Sequence, residues 1–186
     1  MTNQVHLFTS ESVSMGHPDK VSDQISDAIL DLFLSKDPEA RTAIECFATT
    51  NTLIIGGETK STANISNAEI EQTARNVIKE IGYEQDGFHW KNVKITILIH
   101  AQSTDIAQGV DESTNHEEGA GDQGIMFGYA CNETKSLMPA AIYYAHQILR
   151  DIFKAIESGK IIKLGPDAKT QITIEYQDKK PKRAHT

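Results

Sequence analysis

The chain is poor in cysteine and contains no long apolar run. Its two cysteines, Cys46 and Cys131, cannot build a disulfide framework and lack the C-x-x-C spacing of redox and zinc motifs, so we expect both to be reduced thiols. No apolar run approaches the roughly 18 residues that a membrane span needs. The first residues are polar and include no apolar core of a secretory signal, so we expect a cytoplasmic protein without a membrane partner.

The chain also lacks an excess of positive charge, and six of its histidines lack the spacing of metal ligands. Its 18 Lys and Arg against 26 Asp and Glu give a formal net charge of -8, whereas proteins that bind nucleic-acid phosphates present basic surfaces. We therefore expect no nucleic-acid partner. Six histidines are not spaced as metal ligands and receive no chemical role: His6, His89, His100, His116, His146 and His185.

Periodicity predicts an α+β fold of repeated β/α/β units, with largely antiparallel, mixed sheets and helices on one face. Helices are predicted from Val21 to before Pro38, from the capping box Ser66-x-x-Glu69 to Gly82, and from Pro139 to Gly159. Strands are predicted at Val5–Phe8, Val93–His100, Ile125–Ala130 and Gln171–Tyr176, with a hairpin between Thr42 and Glu58 that has Asn51 near its middle and ends at Gly56-Gly57. No partner strand is predicted after the last of these, so we expect an exposed sheet edge there.

The pentapeptide Gly16-His17-Pro18-Asp19-Lys20 groups an imidazole, a carboxylate and an ammonium around a proline, directly before a helical pattern. Pro18 biases His17 toward extended geometry, in which residues two apart share a side. The pentapeptide thus offers a donor for an anion and an oxygen ligand for a hard cation such as Mg²⁺, at a helix start that suits phosphate. The alternative is a capped helix start with both side chains solvated.

Further unusual motifs follow in a fixed order. They are Phe8–Ser14, Gly56-Gly57-Glu58, Gln102–Glu112, Gly119–Gly124, Phe127–Ala130 with Asn132–Thr134, and Pro166-Asp167-Ala168-Lys169. With the pentapeptide, this series resembles the methionine adenosyltransferases, the S-adenosylmethionine synthetases. The resemblance runs from about Val5 to the last residue.

The resemblance implies an organisation that this chain covers only in part. Members of the family are about twice as long and hold three similarly built domains. We expect residues 1–102 to form the first domain, residues 103–124 to hold a mobile active-site loop and a glycine-rich motif, and residues 125–186 to open the central domain. The family forms homodimers or homotetramers with active sites between subunits.

The implied reaction joins ATP, L-methionine and water to give S-adenosylmethionine, phosphate and pyrophosphate. The methionine sulfur attacks C5′ of ATP, and the family uses two Mg²⁺ per site and K⁺. A thioether needs no general base, so catalysis rests on positioning and on stabilising the anionic leaving group.

The resemblance assigns ATP contacts to two motifs. His17 would donate a hydrogen bond to the triphosphate, with a solvated cap histidine as the alternative. Asp19 would bind Mg²⁺, against simple helix capping. Asp167, Ala168 and Lys169 would approach the ATP phosphates, with His17 and Lys169 as the catalytic residues; the alternative for these three is a surface turn.

The remaining assignments concern methionine and K⁺. By resemblance, Glu58, Gln102 and Asp122 would bind methionine, and the stretch from Gln102 to Glu112 would cover the site. Glu45 would bind K⁺, against the alternative of an exposed strand glutamate.

Charge limits what this chain can do alone. Tripolyphosphate carries about four negative charges, and the chain offers mainly His17, Lys20, Lys169 and a metal against them. We therefore predict little or no synthetase activity for this chain by itself. The alternative functions are an inert fragment that binds ATP or pairs with a full-length subunit, and a structural protein in which the motifs are accidental.

Overall fold

The computed structural model describes residues 4–102 and 123–186. Its elements are, in chain order, β1 Val5–Val13, α1 Pro18–Leu34, β2 Arg41–Thr49, β3 Thr52–Lys60, α2 Asn67–Ile81, β4 Glu84–Gln85, β5 Phe88–His89, β6 Lys94–Ala101, α3 Ala140–Glu157, β7 Lys169–Gln177 and β8 Lys180–Ala184. The described residues form two compact units, and the α+β prediction with mixed and antiparallel sheets is confirmed. Within these two ranges, every helix is too short or too polar to cross a membrane.

The first unit, which includes the described residues 4–20, 81–83 and 128–186, contains an antiparallel sheet in the order β1-β7-β8. Helix α3 packs on this sheet through a buried cluster of Ala140, Ala141, Ile174 and Tyr176. The Glu133 carboxylate accepts hydrogen bonds from the Ala140 backbone N–H at 2.8 Å and from the Tyr176 hydroxyl at 2.7 Å. One carboxylate thus caps the helix and ties it to the sheet.

The second unit, which includes the described residues 21–80, 84–102 and 123–127, contains the sheet β2-β3-β6. Strands β2 and β3 form an antiparallel hairpin, whereas β3 and β6 run parallel. Because side chains alternate along a strand, Leu53 and Ile55 are fully buried while Ile54 between them is 37% exposed. The apolar faces of α1 and α2 supply most of the rest of this core, with Ile25, Ile29 and Ile78 completely buried.

Several predicted boundaries are confirmed by local geometry. Ser66 and Glu69 form the predicted capping box, in which the Ser66 N–H donates to the Glu69 carboxylate at 2.9 Å and the Glu69 N–H donates to the Ser66 hydroxyl at 3.3 Å. Gly82 and Gly159 follow their helices with φ of 98° and 71°, and Asn51 turns the hairpin with φ of 49°. Glycine and asparagine tolerate this left-handed region, which most side chains avoid.

Two strand predictions are wrong. Residues 125–130 form no strand, and Ile125, Met126 and Phe127 are 79%, 88% and 89% exposed. The apolar pattern was misleading because a strand also requires a neighbour for its backbone groups, and none of the described strands pairs with this segment. In contrast, β8 does pair with β7 beyond the turn at Asp178 and Lys179, although its sequence is polar and contains Pro181.

Two further sequence predictions, for the β2–β3 hairpin and for the cysteines, can be compared with the structure. Strand β3 continues past Gly56-Gly57 to Lys60, so the glycines lie within the strand rather than at its end. Cys46 and Cys131 are both free, as predicted. Burial raises the pKa of the Cys46 thiol to about 11, outweighing the hydrogen bond with Ser26 that lowers it.

Candidate functional site

Two turns of the first unit lie side by side, the His17 turn (residues 14–19) and the Asp167 turn (residues 166–169). They meet because β1 and β7 are antiparallel partners with Val13 opposite Lys169, so the chain leaves β1 where it enters β7. Motifs that are some 150 residues apart in sequence are therefore neighbours in the fold. This juxtaposition brings together His17, Asp19, Asp167, Ala168 and Lys169, five of the predicted site residues.

Ser14 joins the two turns. Its hydroxyl donates to the Pro166 carbonyl at 2.7 Å and accepts from the Ala168 N–H at 2.8 Å. Its own backbone N–H donates to the Ala168 carbonyl at 2.9 Å. The backbone on both sides of Asp167 is thus held by one serine.

Gly16 and Tyr83 fix the other side of the contact. A Cβ atom at Gly16 would lie 2.4 Å from the backbone carbonyl carbon of Pro166, so only glycine fits there. The buried Tyr83 hydroxyl donates a hydrogen bond to the Gly16 carbonyl. Burial, and to a lesser degree the negative charge of Asp167, raise the pKa of Tyr83, which keeps its hydroxyl protonated as a donor.

His17 presents one ring nitrogen to its own turn. The Asp19 backbone N–H donates to Nδ1 of His17 at 3.2 Å, so Nδ1 acts as an acceptor and the neutral ring carries its proton on Nε2. The Asp19 carboxylate lies 3.6 Å from the same Nδ1, which constitutes an ion pair only if the ring is protonated. The His17 side chain is 22% exposed and that of Asp19 is 87% exposed, so both reach solvent.

Lys169 begins β7 and is paired with Glu11 across the sheet. The Nζ atom lies 3.0 Å from a Glu11 carboxylate oxygen, and the two side chains are 59% and 54% exposed. An ion pair this exposed contributes only about 0–1 kcal/mol. A phosphate group can therefore compete with Glu11 for the lysine at little cost.

A cleft of about 560 Å³ adjoins the two turns within the first unit. The two turns contribute Ser14, Asp167 and Ala168 to its wall. The residues that α3 contributes are mainly apolar, namely Leu149, Ile152, Phe153 and Ile156. Lys20, His146 and Arg150 supply basic groups to the lining. Its volume and its apolar walls with few polar groups are typical of small-molecule sites.

The predicted site residues of the second unit share one face of the sheet β2-β3-β6. Glu45 stands opposite Gly56, and Glu58 stands opposite His100, so register and alternation place Glu45, Glu58 and Gln102 on the same side. This face, which we call the outer face, also carries Phe47, Ile54 and Leu98, which are 61%, 37% and 60% exposed. Glu45 itself is exposed, as its alternative interpretation predicts.

Gln102 follows β6, and its N–H donates to the Thr59 carbonyl at 2.9 Å. Its side-chain Oε1 is buried without a hydrogen-bond partner among the described residues, which is costly for a polar atom. Asp122 and the stretch that follows Gln102 up to Glu112 lie outside the described residues. The predicted division at residues 102 and 124 stays a prediction.

Sequence reasoning missed four residues of the site. Ser14 and Glu11 were noticed only as parts of a motif, and Tyr83 and Arg150 were not noticed at all. Nothing local marks Ser14, Glu11 or Tyr83, because each acts on residues more than 60 positions away. Arg150 is known only from its place in the cleft lining. For Ser14 and Glu11, the pairing of β1 with β7 was the missing signal.

The geometry permits a limited test of metal binding. Among residues 4–102 and 123–186, no three His, Cys, Asp or Glu side chains are grouped so as to hold a metal ion. Mg²⁺, however, keeps several waters and is commonly bound by one or two carboxylates together with substrate phosphates. The exposed carboxylate of Asp19 fits this role only in company with a bound polyphosphate.

These features define an α+β protein with two facing turns that offer groups suited to an anion and a hard cation. Comparison with known protein families identifies one family. The N-terminal domain of S-adenosylmethionine synthetase matches residues 5–104, and its central domain matches residues 117–186. The chain therefore belongs to the S-adenosylmethionine synthetase family.

Individual relatives agree. The chain is 57% identical over 184 residues to the S-adenosylmethionine synthase of Paramagnetospirillum magneticum, covering 99% of this chain and 47% of the relative. It is 58% identical over 181 residues to that of Parvibaculum lavamentivorans, covering 97% of this chain and 46% of the relative. The chain thus spans about half the length of the curated relatives it matches.

Proposed function

We propose that this chain carries the part of a methionine adenosyltransferase site that binds the triphosphate of ATP. Nε2 of His17 donates to a phosphate oxygen, and Lys169 exchanges Glu11 for a second phosphate group. Asp19 holds Mg²⁺ against the same polyphosphate. The observation that carries this proposal is the junction at Ser14, which holds the His17 and Asp167 turns together.

The proposed reaction is attack of the methionine sulfur on C5′ of ATP, followed by hydrolysis of tripolyphosphate to phosphate and pyrophosphate. Holding sulfur and C5′ in line removes on the order of 7–11 kcal/mol from the barrier. Mg²⁺ would supply stabilisation of the charge that develops on the leaving triphosphate. The chain's own share is to orient that triphosphate through His17, Lys169 and the backbone of residues 167–168.

The cleft beside the Asp167 turn supports a nucleotide rather than inorganic polyphosphate as the ligand. Its mainly apolar walls and its volume of about 560 Å³ suit the adenosine portion of ATP. Asp167 and Ala168 border both the cleft and the junction of the turns. A nucleoside in the cleft would thus lie beside the Asp167 turn.

For methionine we propose Glu58, Gln102 and Asp122, with K⁺ bound at Glu45. The shared outer face of Glu45, Glu58 and Gln102 supports a common location for the first two roles. The buried and unpartnered Oε1 of Gln102 is an acceptor available to an ammonium group. Glu45 provides an oxygen ligand of the kind K⁺ prefers.

Partners and compartment follow the family. We propose a homodimer or homotetramer in the cytoplasm, and the exposed apolar side chains of the outer face favour burial by a second subunit. The segment division at residues 102 and 124 belongs to the same proposal. The alternative function, an inert fragment that binds ATP or pairs with a full-length subunit, shares this binding chemistry without the turnover.

Calorimetric titration of the 186-residue chain with MgATP tests the binding proposal. We expect binding that weakens about tenfold in Lys169→Gln, the factor that one charge-assisted hydrogen bond supplies. Lys160→Gln, an exposed lysine after α3, is the control and should bind normally. Absence of MgATP binding in the unchanged chain would contradict the proposal.

Turnover separates the two functions. We expect little or no S-adenosylmethionine from the chain alone with ATP and methionine, because it offers too few cations for the triphosphate. Formation at the rate of a complete relative would show that this half suffices. Added full-length subunit whose own activity changes in proportion to the amount of this chain would favour the subunit-pairing alternative.

A further inference from the structure

Ser14 interrupts a regular pattern of backbone hydrogen bonds. In a regular antiparallel ladder, opposed residues alternate between pairs that exchange both of their N–H···O=C bonds and pairs that exchange none, and Ser14 and Ala168 stand at a position of the first kind. Ser14 and Ala168 make only one of these, from the Ser14 N–H to the Ala168 carbonyl at 2.9 Å. The Ser14 carbonyl instead accepts the His17 N–H at 3.1 Å, which closes the His17 turn.

The Ser14 hydroxyl replaces the missing partner. It accepts the Ala168 N–H at 2.8 Å, which would otherwise lose its acceptor where the ladder ends. At the same time it donates to the Pro166 carbonyl at 2.7 Å. One hydroxyl therefore allows β1 to bend away into the His17 turn while the Asp167 turn stays attached.

The separation of the turns is fixed tightly by this arrangement. Gly16 touches Pro166 so closely that no side chain fits, and Tyr83 holds the Gly16 carbonyl from the other side. The acceptor of the Ala168 N–H is the Ser14 hydroxyl, so Ser14 holds the backbone that follows Asp167.

We propose that Ser14 is a positioning residue for polyphosphate binding. It sets the distance between His17 and the backbone of residues 167–169, so that both turns reach one triphosphate together. This inference rests on the proposed ATP-binding function.

Ser14→Ala removes the hydroxyl and Ser14→Thr retains it, with Ser158→Ala as the matched control. The Ser158 hydroxyl, in the same unit, donates to the Ala155 carbonyl at an exposed helix end. Nuclear magnetic resonance of the free chain should show faster amide exchange of Ala168 and shifted backbone signals of His17 in Ser14→Ala alone. Unchanged exchange and shifts would overturn the proposal.

Binding supplies the second measurement. We expect the Kd for MgATP and for inorganic tripolyphosphate to rise about tenfold in Ser14→Ala, the equivalent of one lost hydrogen bond, and to be restored in Ser14→Thr. A merely structural serine would lower the melting temperature without this selective, rescued loss. Wild-type affinity in Ser14→Ala despite faster Ala168 exchange would overturn the positioning role.

Failure of the proposed function gives a different result. If the unchanged chain binds neither MgATP nor tripolyphosphate, the ATP-binding proposal is wrong for this chain and the polyphosphate role of Ser14 is overturned with it. If the unchanged chain binds both ligands and Ser14→Ala binds them with the same affinity, the proposed function stands and the inference alone is overturned.

Discussion

The Asp19 backbone N–H donates to Nδ1 of His17 at 3.2 Å, and this bond decides which ring nitrogen faces outward as a donor. Asparagine places its amide near the Nδ1 position, whereas glutamine reaches the position of Nε2. We therefore expect His17→Gln to keep most of the affinity for MgATP and His17→Asn to lose about tenfold, as for one hydrogen bond to a charged group. Calorimetric titration of both variants measures this difference.

His89 provides the control for these variants. Its Nδ1 accepts the Lys91 N–H at 3.1 Å, the same local bond as at His17, but it lies in the other unit. His89→Asn and His89→Gln should bind MgATP normally. Equal losses in His17→Gln and His17→Asn would show that Nε2 is not the donor.

Asp19→Asn should separate metal-dependent binding from metal-free binding. The Asp19 side chain is 87% exposed, so its loss should leave the fold intact. Because its carboxylate would bind Mg²⁺ but repel free phosphate, we expect most of the Mg²⁺-dependent gain in ATP affinity to disappear. Affinity for ATP in the presence of a chelator should stay equal or rise slightly.

The control is Asp23→Asn, which neutralises an exposed carboxylate one turn further along α1. Equal Mg²⁺ dependence in Asp19→Asn and the unchanged chain, measured by titration at several Mg²⁺ concentrations, would remove Asp19 from the metal site.

Local chemistry explains which features could be predicted from the sequence. The capping box at Ser66, the positive φ at Gly82 and the turn at Asn51 are each decided within a few residues. The His17 and Asp167 motifs were likewise recognisable as short runs. Their roles, by contrast, were assigned by resemblance and are not tested by the fold.

Features that depend on distant partners could not be predicted. Strand β8 forms because the backbone groups of β7 are available to pair with it. The apolar run that begins at Ile125 forms no strand, since none of the described strands pairs with it. Tyr83 acquires its role only through the fold, which brings it to the Gly16 carbonyl. A hydrophobic pattern depends on the side chains of its own segment and contains no information about the strand or helix that the segment will pack against.

Adjacent glycines in β3 give a direct test of the hairpin. Gly57 has φ of 130°, and a Cβ atom there would lie 1.9 Å from the Ala43 carbonyl oxygen. Gly56 has ordinary strand geometry, and its nearest contact would be 3.9 Å away. Gly57→Ala should lower the free energy of unfolding by about 2 kcal/mol or more, through backbone strain and the clash.

Gly56→Ala is the matched control and should change stability little. Urea denaturation of both variants measures the difference. If the two variants are equally stable, the close approach of β2 at Gly57 is not required by the fold.

Asp37 ties the end of α1 to the segment after β3, and it should make stability depend on pH. Its carboxylate accepts the Thr62 N–H at 2.7 Å, the Ser61 hydroxyl at 2.8 Å and the Thr62 hydroxyl at 3.0 Å. The bond from the Thr62 N–H, followed by that from Ser61, lowers the pKa of Asp37 from 3.8 to about 2 against the opposing effect of burial. A lowered folded-state pKa stabilises the fold above the unfolded value and loses that contribution as pH falls toward 2.

Melting temperatures between pH 2 and pH 6 test this linkage in Asp37→Asn and in the control Asp27→Asn, an exposed residue of α1. Asp37→Asn should melt lower at pH 6, and its deficit relative to the unchanged chain should shrink between about pH 4 and pH 2. Glu69, whose pKa is also lowered to about 2 by Lys36 and Ser66, titrates in both proteins and cancels in the difference. A deficit that stays constant across this range would mean that Asp37 acts through hydrogen bonds that its protonated form makes equally well.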